Sequence, residues 1–216
     1  MFGIHDFLMF VASGLLLSIT PGQDVLYIVG RGASQGSKAG MVAALGVGTG
    51  CLVHITAATL GLSALIATSA TVFTVIKIIG AAYLLYMGVS ILRSAKPAAV
   101  DAYACTITSS TPSTNLVTIW RQGFLCNALN PKVALFFLAF LPQFIDPTST
   151  QTNMAFLTLG VVFSINGTLV CLLYGICAGR LAAKINPAGH LAAWSKRLAG
   201  CVFLGLGLRL ALSERG

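Results

Sequence analysis

Charge is what this sequence has least of. Only 8% of its 216 residues are charged, with thirteen Lys and Arg against five Asp and Glu. A soluble domain carries about 25% charged residues, so this chain cannot keep the surface of a water-facing globule wet. Other absences narrow the function. The six cysteines (51, 105, 126, 171, 177 and 201) form no CxxC pair and five lie in apolar segments, which argues for packed small hydrophobes rather than a disulfide framework or a thiolate metal site. No GK[ST] follows a glycine-rich turn, and no strand precedes the glycines of "GVGTG" at 46–50, so these permit close helix contact and do not cradle a phosphate. A GxSxG elbow, an HExxH pair and paired aspartates are all missing, which argues against a membrane-embedded enzyme. The net charge of +8 comes from bases scattered at segment ends, not from a patch, so topology explains it better than nucleic acid does.

What is present is grease. The chain is 56% hydrophobic, its mean hydropathy is +0.90, and no formally charged residue occurs between Lys38 and Lys77 or between Asp146 and Arg180. A membrane crossing needs roughly 20 mostly apolar residues. The fold class expected is therefore an all-α polytopic membrane protein, with membrane lipid as its solvent. About six transmembrane helices fit, near 6–30, 39–65, 70–93, 119–145, 153–179 and 192–212. The first charge is Asp6, so the N-terminal segment lacks the basic region of a cleavable signal and is expected to remain. Lys and Arg gather in the loops after spans one, three and five: Arg31 and Lys38, then Arg93, Lys96 and Arg121, then Arg180, Lys184, Lys196 and Arg197. By the positive-inside rule these loops are cytoplasmic and both termini lie outside.

The halves resemble each other. "TP" at 20–21 answers "NP" at 130–131, Gly46 and Gly61 answer Gly160 and Gly175 at the same spacing, and "KIIGAAYL" at 77–84 answers "RLAGCVFL" at 197–204. This divides the chain into a first three-helix repeat (1–95), a Ser/Thr/Pro-rich cytoplasmic connector (96–118) and a second three-helix repeat (119–216). Three spans is an odd number, so the two repeats are inverted, with broken helices one and four. Inverted repeats meeting at a midplane site are the architecture of many secondary transporters.

The breaks carry the chemistry. Pro21 and Gly22 interrupt "LLLSITPGQDVLYIV", and Pro131 interrupts "GFLCNALNPKVALFFLAFLPQF". A broken helix frees backbone groups that hydrocarbon punishes by several kcal/mol each, so such breaks face protein or a watery cavity. Asp24 follows the first break, roughly 10 Å inside Arg31, and Lys132 follows the second, roughly 16 Å inside Arg121, at helical rise. An acid and a base at paired breaks suit a zwitterion. Asp24 would hold its ammonium, Lys132 or open amides its carboxylate, with Asn127 and Asn130 beside them. The plainer readings stand alongside. Asp24 caps the resumed helix, Asp24 and Lys132 neutralise each other, the two asparagines join helices, and Pro142 is a kink. His54, deep in span two, is a candidate for proton coupling beside Asp24, or a packing histidine. Lys77 and Arg197 read as snorkelling residues. Glycine-rich faces permit a homodimer and serve internal packing equally well. A divalent-metal permease finds only Asp24 and His54 within the spans.

Three blocks, "SITPGQDVLYIVGRGASQGSKAGMVAALGVGTG", "GLSAL…KIIGAAYLLYMGVSILRS" and "GFLCNALNPKVALFFLAFLPQF", resemble the lysine-exporter superfamily, in particular its homoserine/threonine-resistance branch. The likeness spans nearly the whole chain except the connector and the last residues. The resemblance implies a bacterial inner-membrane exporter of amino acids or close derivatives, coupled to proton entry, with no ATP and no other cofactor. In that family the first block usually reads T-P-G-P followed by Asn, Gly or Asp. Here Gln23 replaces the second proline, which implies a milder break.

Overall fold

The computed structural model describes residues 2–20, 22–62, 115–146 and 148–181, together with single helical positions at 75, 78, 82, 85, 86, 89, 204, 205 and 208. Pro21, Lys77, Arg197, most of the connector, and the greater part of the spans expected at 70–93 and 192–212 lie outside them, as does the "KIIGAAYL"/"RLAGCVFL" match.

Helix α1 (Phe7–Ile19) ends where the sequence requires. Thr20 precedes a proline and takes an extended conformation (φ −66°, ψ 120°), the region such residues prefer. Helix α2 (Gln23–Gln35) resumes at 52° to it. Gly36 then turns the chain with φ +86°, a left-handed value that favours glycine, and α3 (Ser37–Ala57) starts at the next residue. It runs on into a π-helical turn, Ala58–Leu62. Helix α4 (Leu116–Ala128) begins with an asparagine cap, the Val117 N–H donating to Asn115 Oδ1 at 2.9 Å. Its start lies three residues before the boundary expected at 119. Asn130 is again extended before a proline, and α5 (Pro131–Leu135) begins with Pro131 at its first position, where the missing N–H costs nothing. It continues through a π-helical turn (Phe136–Phe140) and a 3-10 turn (Leu141–Phe144) containing Pro142, and the two halves of this span meet at 43°. Helix α6 (Thr152–Leu181) is long and unbroken.

Among the described residues, Ser37–Gly61 and Thr152–Leu181 are each long and apolar enough to cross a membrane, and each bent pair adds one more. The chain is an all-α polytopic membrane protein. Its outward faces carry Leu8, Leu52, Leu60, Leu129, Ile165, Leu169 and Leu173, an apolar coat suited to lipid and unsuited to water. One expectation is corrected here. Arg31 does not sit in a loop. It lies in the last turns of α2, 7% exposed, its guanidinium donating to Gln122 Oε1 and stacked 5.6 Å from the Tyr27 ring centre. The loop between the first two spans is Gly36 alone, and Lys38 is already helical.

Two cores flank the middle of the bundle. One is aromatic. Phe136 packs 4.8 Å from Phe163 and 5.0 Å from Phe140 between ring centres, and Phe144 lies 5.3 Å from Phe10. The N-terminal strap closes over it, with Ile4 paired to Ile145, the His5 N–H on Phe144 O and the Asp146 N–H on Gly3 O. The Asp146 carboxylate accepts from the Thr148 hydroxyl and N–H, which hold its pKa below the usual range. The second core joins Tyr27, Ile28, Ala43, Val47, Ile119 and Cys171. Glycines make α3 fit between α4 and α6. A Cβ on Gly175 would lie 2.6 Å from the Gly40 carbonyl carbon, and one on Gly123 would lie 2.6 Å from Ala43 O. The glycine faces of these helices therefore serve internal contacts.

Backbone cannot give way as a side-chain tip can. Gly175→Val is expected to cost about 1–3 kcal/mol or more and to lower the melting temperature in detergent. Gly30→Ala, with nothing within 4 Å of its added carbon, is expected to leave it unchanged or slightly higher. Melting followed by intrinsic fluorescence compares the two.

Candidate functional site

Each broken span leaves carbonyls without helical partners, some met by the next residues of the chain and the others from across the bundle. At the end of α1, Leu16 O accepts the N–H and the hydroxyl of Thr20. Leu17 O and Thr20 O accept from Lys132 Nζ at 2.8 and 3.0 Å, and Ile19 O accepts from the Tyr174 hydroxyl at 2.9 Å. At the end of α4, Leu125 O accepts from the Leu129 N–H. Cys126 O accepts from Gln23 Nε2 at 2.8 Å, and Asn127 O takes both the Asn130 N–H and His54 Nε2, the latter at 2.9 Å. A ring nitrogen facing a carbonyl must carry the proton, so His54 is protonated on Nε2.

Asp24 sits in the first turn of α2, where an anion is favoured by the helix dipole. It does not cap that helix. The cap position is Gly22, and no side chain bonds there. Asp24 reaches across to the second break instead. Its Oδ2 accepts from Asn127 Nδ2 and Asn130 Nδ2, both at 2.9 Å, and its Oδ1 meets the Cys126 thiol at 3.5 Å. Asn130 works in two directions, since its Oδ1 also caps α5 by accepting the Lys132 N–H at 2.9 Å. Asn127 and Asn130 are 4% and 2% exposed. Asn127 Oδ1 is buried and has no hydrogen-bond partner among the described residues. An acceptor left so costs about 1–3 kcal/mol.

These groups line one cavity of about 50 Å³ between the two cores, room for about four waters. Its polar end is Gly22, Asp24, Asn127, Asn130 and Lys132. Its apolar walls are Leu17, Val25, Val47, Val133 and Phe163. A Cβ on Gly22 would lie 3.5 Å from Lys132 Nζ, so the break at Gly22 and the lysine are neighbours. The sequence-derived set Gly22, Asp24, Asn127, Asn130 and Lys132 is thus brought together, and Pro131 opens the helix that carries Lys132. His54 stands one layer behind, against Asn127 O and 5.9 Å from the Phe137 ring centre. Sequence reasoning missed Gln23 and Tyr174 as cross-bundle caps. Gln23 carried a signal, because an amide occupies the place where the resembled family has proline. Tyr174 carried none.

Two broken spans with their ends joined around a polar cavity in an apolar helical bundle define a membrane transport protein. The chain belongs to the LysE type translocator family, whose model matches residues 15–214. It is 32% identical over 211 residues to an "Uncharacterized membrane protein" of Vibrio cholerae, covering 98% of each chain. It is 30% identical over 211 residues to a "Leucine efflux protein" of Enterobacter sp., covering 97% of each, and 28% identical over 215 residues to a "Leucine efflux protein" of Salmonella typhimurium, covering 97% of this chain and 96% of the relative. No solved structure matches it.

Asn130 holds both a helix start and Asp24. Asn130→Ala is expected to destabilise the protein by about 2–3 kcal/mol, more than Asn115→Ala, whose lost cap is worth about 1 kcal/mol. Melting curves of the two variants in the same detergent measure the difference.

Proposed function

We propose that this chain is a secondary transporter that exports neutral amino acids, foremost those with aliphatic side chains, from the cytoplasm across the bacterial inner membrane, driven by proton entry. One observation carries this reading: Asp24 and Lys132, on two different broken helices, line one cavity. Fixed charges of opposite sign complement a zwitterion. Asp24 takes the ammonium, and the carboxylate lies toward Lys132 and the open amides after Gly22. A lysine substrate would bring a second cation with no second carboxylate in the lining. A leucine-like side chain would rest on Leu17, Val47 and Phe163. The leucine efflux relatives agree with that choice, while Ser18, Ser164 and Thr168 in the same lining would also receive the hydroxyl of homoserine or threonine.

Protonation of Asp24 from outside would weaken its hold on the ammonium and favour release outward. His54 is the second candidate for the proton, one layer away. The matched breaks support the division into inverted repeats at 1–95 and 119–216; by the positive-inside rule the connector between them and the basic loops face the cytoplasm. A divalent-metal permease has less to stand on. Among the described residues, no three of His, Cys, Asp and Glu come together, and metal sites want several such ligands converging.

Cells loaded with leucine-containing dipeptides should accumulate external leucine faster with the protein than without it. Asp24→Asn and Lys132→Met should each reduce that export at least tenfold at equal protein levels. In inside-out vesicles under an imposed pH gradient, normal Asp24→Asn transport with unchanged gradient dependence would remove Asp24 as the proton site.

A further inference from the structure

Hydrogen-bonding capacity at the polar end of the cavity is unevenly used. Both ends of the Asn130 amide are engaged, Oδ1 accepting the Lys132 N–H and Nδ2 donating to Asp24. Asp24 Oδ2 receives two amides, while among the described residues Oδ1 meets only a thiol at 3.5 Å, a weak donor. Asn127 donates its Nδ2 to Asp24 and leaves Oδ1 buried and without a partner among the described residues. The orientation of this amide is fixed. A flip would set its oxygen against the Asp24 carboxylate, and its backbone carbonyl is held by the Asn130 N–H and His54. Gly50 backs it, since a Cβ there would come within 2.9 Å of the Asn127 Cβ. Two under-used acceptors, Asp24 Oδ1 and Asn127 Oδ1, thus belong to side chains joined by one hydrogen bond at the wall of the same cavity.

We infer that Asn127 Oδ1 is the second acceptor for the substrate's ammonium beside Asp24, so that the site selects amines carrying at least two N–H bonds. The inference rests on the reading that an amino acid occupies this cavity. A primary ammonium has three N–H donors and serves both acceptors with one to spare. A secondary ammonium still serves both. A tertiary ammonium keeps the positive charge and the attraction to Asp24, but its single N–H leaves one acceptor unmet. The selection is thus by donor count, not by charge.

Calorimetric titration of the purified protein with L-leucine, N-methyl-L-leucine and N,N-dimethyl-L-leucine tests it. The expected result is similar affinity for the first two and a loss of roughly tenfold or more at the second methyl. Crowding alone would weaken binding from the first methyl onward. Asn127→Leu keeps the bulk and removes both the acceptor and the Nδ2 donor to Asp24; the lost donor affects every ammonium alike, whereas the lost acceptor weakens leucine more than the dimethyl compound, bringing their ratio toward one. Asn127→Gln keeps both the amide oxygen and the amide donor to Asp24 and should preserve the ratio, which provides a reading should Asn127→Leu not fold. A flat series in the wild type, a loss confined to the first methyl, or an unchanged ratio in Asn127→Leu overturns the inference while leaving the transport reading intact. No binding of leucine by the wild type overturns both.

Discussion

The constraint on which the rest of the structure depends is that a carbonyl within the bilayer must find a donor. Continuous helices meet it by themselves. Among the described residues this chain breaks two of its spans, and each break supplies partners that the other needs. Lys132, from the second break, takes the carbonyls at the end of α1. Gln23, from the first, takes a carbonyl at the end of α4, and Asp24 takes the amides of Asn127 and Asn130. Neither break is tenable alone, since each unmet group costs several kcal/mol in hydrocarbon. The cavity is the space left where the two breaks meet.

This division of labour gives Lys132 and Asp24 two roles at once. Lys132 brings positive charge to the cavity while its ammonium holds two carbonyls in place. Asp24 presents one oxygen to two amides and keeps the other nearly unused. A residue that closes a helix end and also faces a ligand is a position where stability and function are not separable. Loss of transport on substitution therefore has to be weighed against loss of fold at the same site.

Much of this was legible beforehand, for identifiable reasons. The two prolines fixed where helices stop, because the residue before proline avoids the helical region. Asn130 was legible only as an amide beside the break; that it caps the helix Pro131 opens came from the structure. Scarcity of charge marked Asp24 and Lys132 as exceptional, and the pairing of "TP" with "NP" put them in corresponding places. The asparagines were legible as polar residues near a break but not as ligands of Asp24, since that depends on how the two breaks are docked. Arg31 was misread because a base at the end of an apolar run ordinarily marks a loop. Here Gln122, distant in sequence, and Tyr27, one helical turn before it, allow it to be buried. Tyr174 was invisible for the same reason, because an aromatic on a long apolar helix reveals nothing about which carbonyl its hydroxyl will meet.

The locking of the two breaks also bears on how access to the cavity would alternate during transport. Separating them would strand the carbonyls of Leu17, Thr20 and Cys126 together with the Asp24 carboxylate, a combined penalty far larger than the coupling free energies of about 1–3 kcal/mol that ligands ordinarily supply. Motion that leaves the breaks joined avoids that penalty. The remaining surfaces differ in what they can tolerate. The glycine contacts of α3 with α4 and α6 are backbone against backbone and permit little sliding without clash. The phenylalanine cluster of Phe10, Phe136, Phe140, Phe144 and Phe163 is held by ring contacts, which are individually weak and can be re-formed in other rotamers. The two π-helical turns lie at this end of the bundle, and such turns are already departures from regular helix that shift at low cost. Under the transport reading, the polar site is the fixed point of the cycle, and the aromatic end is where the structure has the most freedom to open.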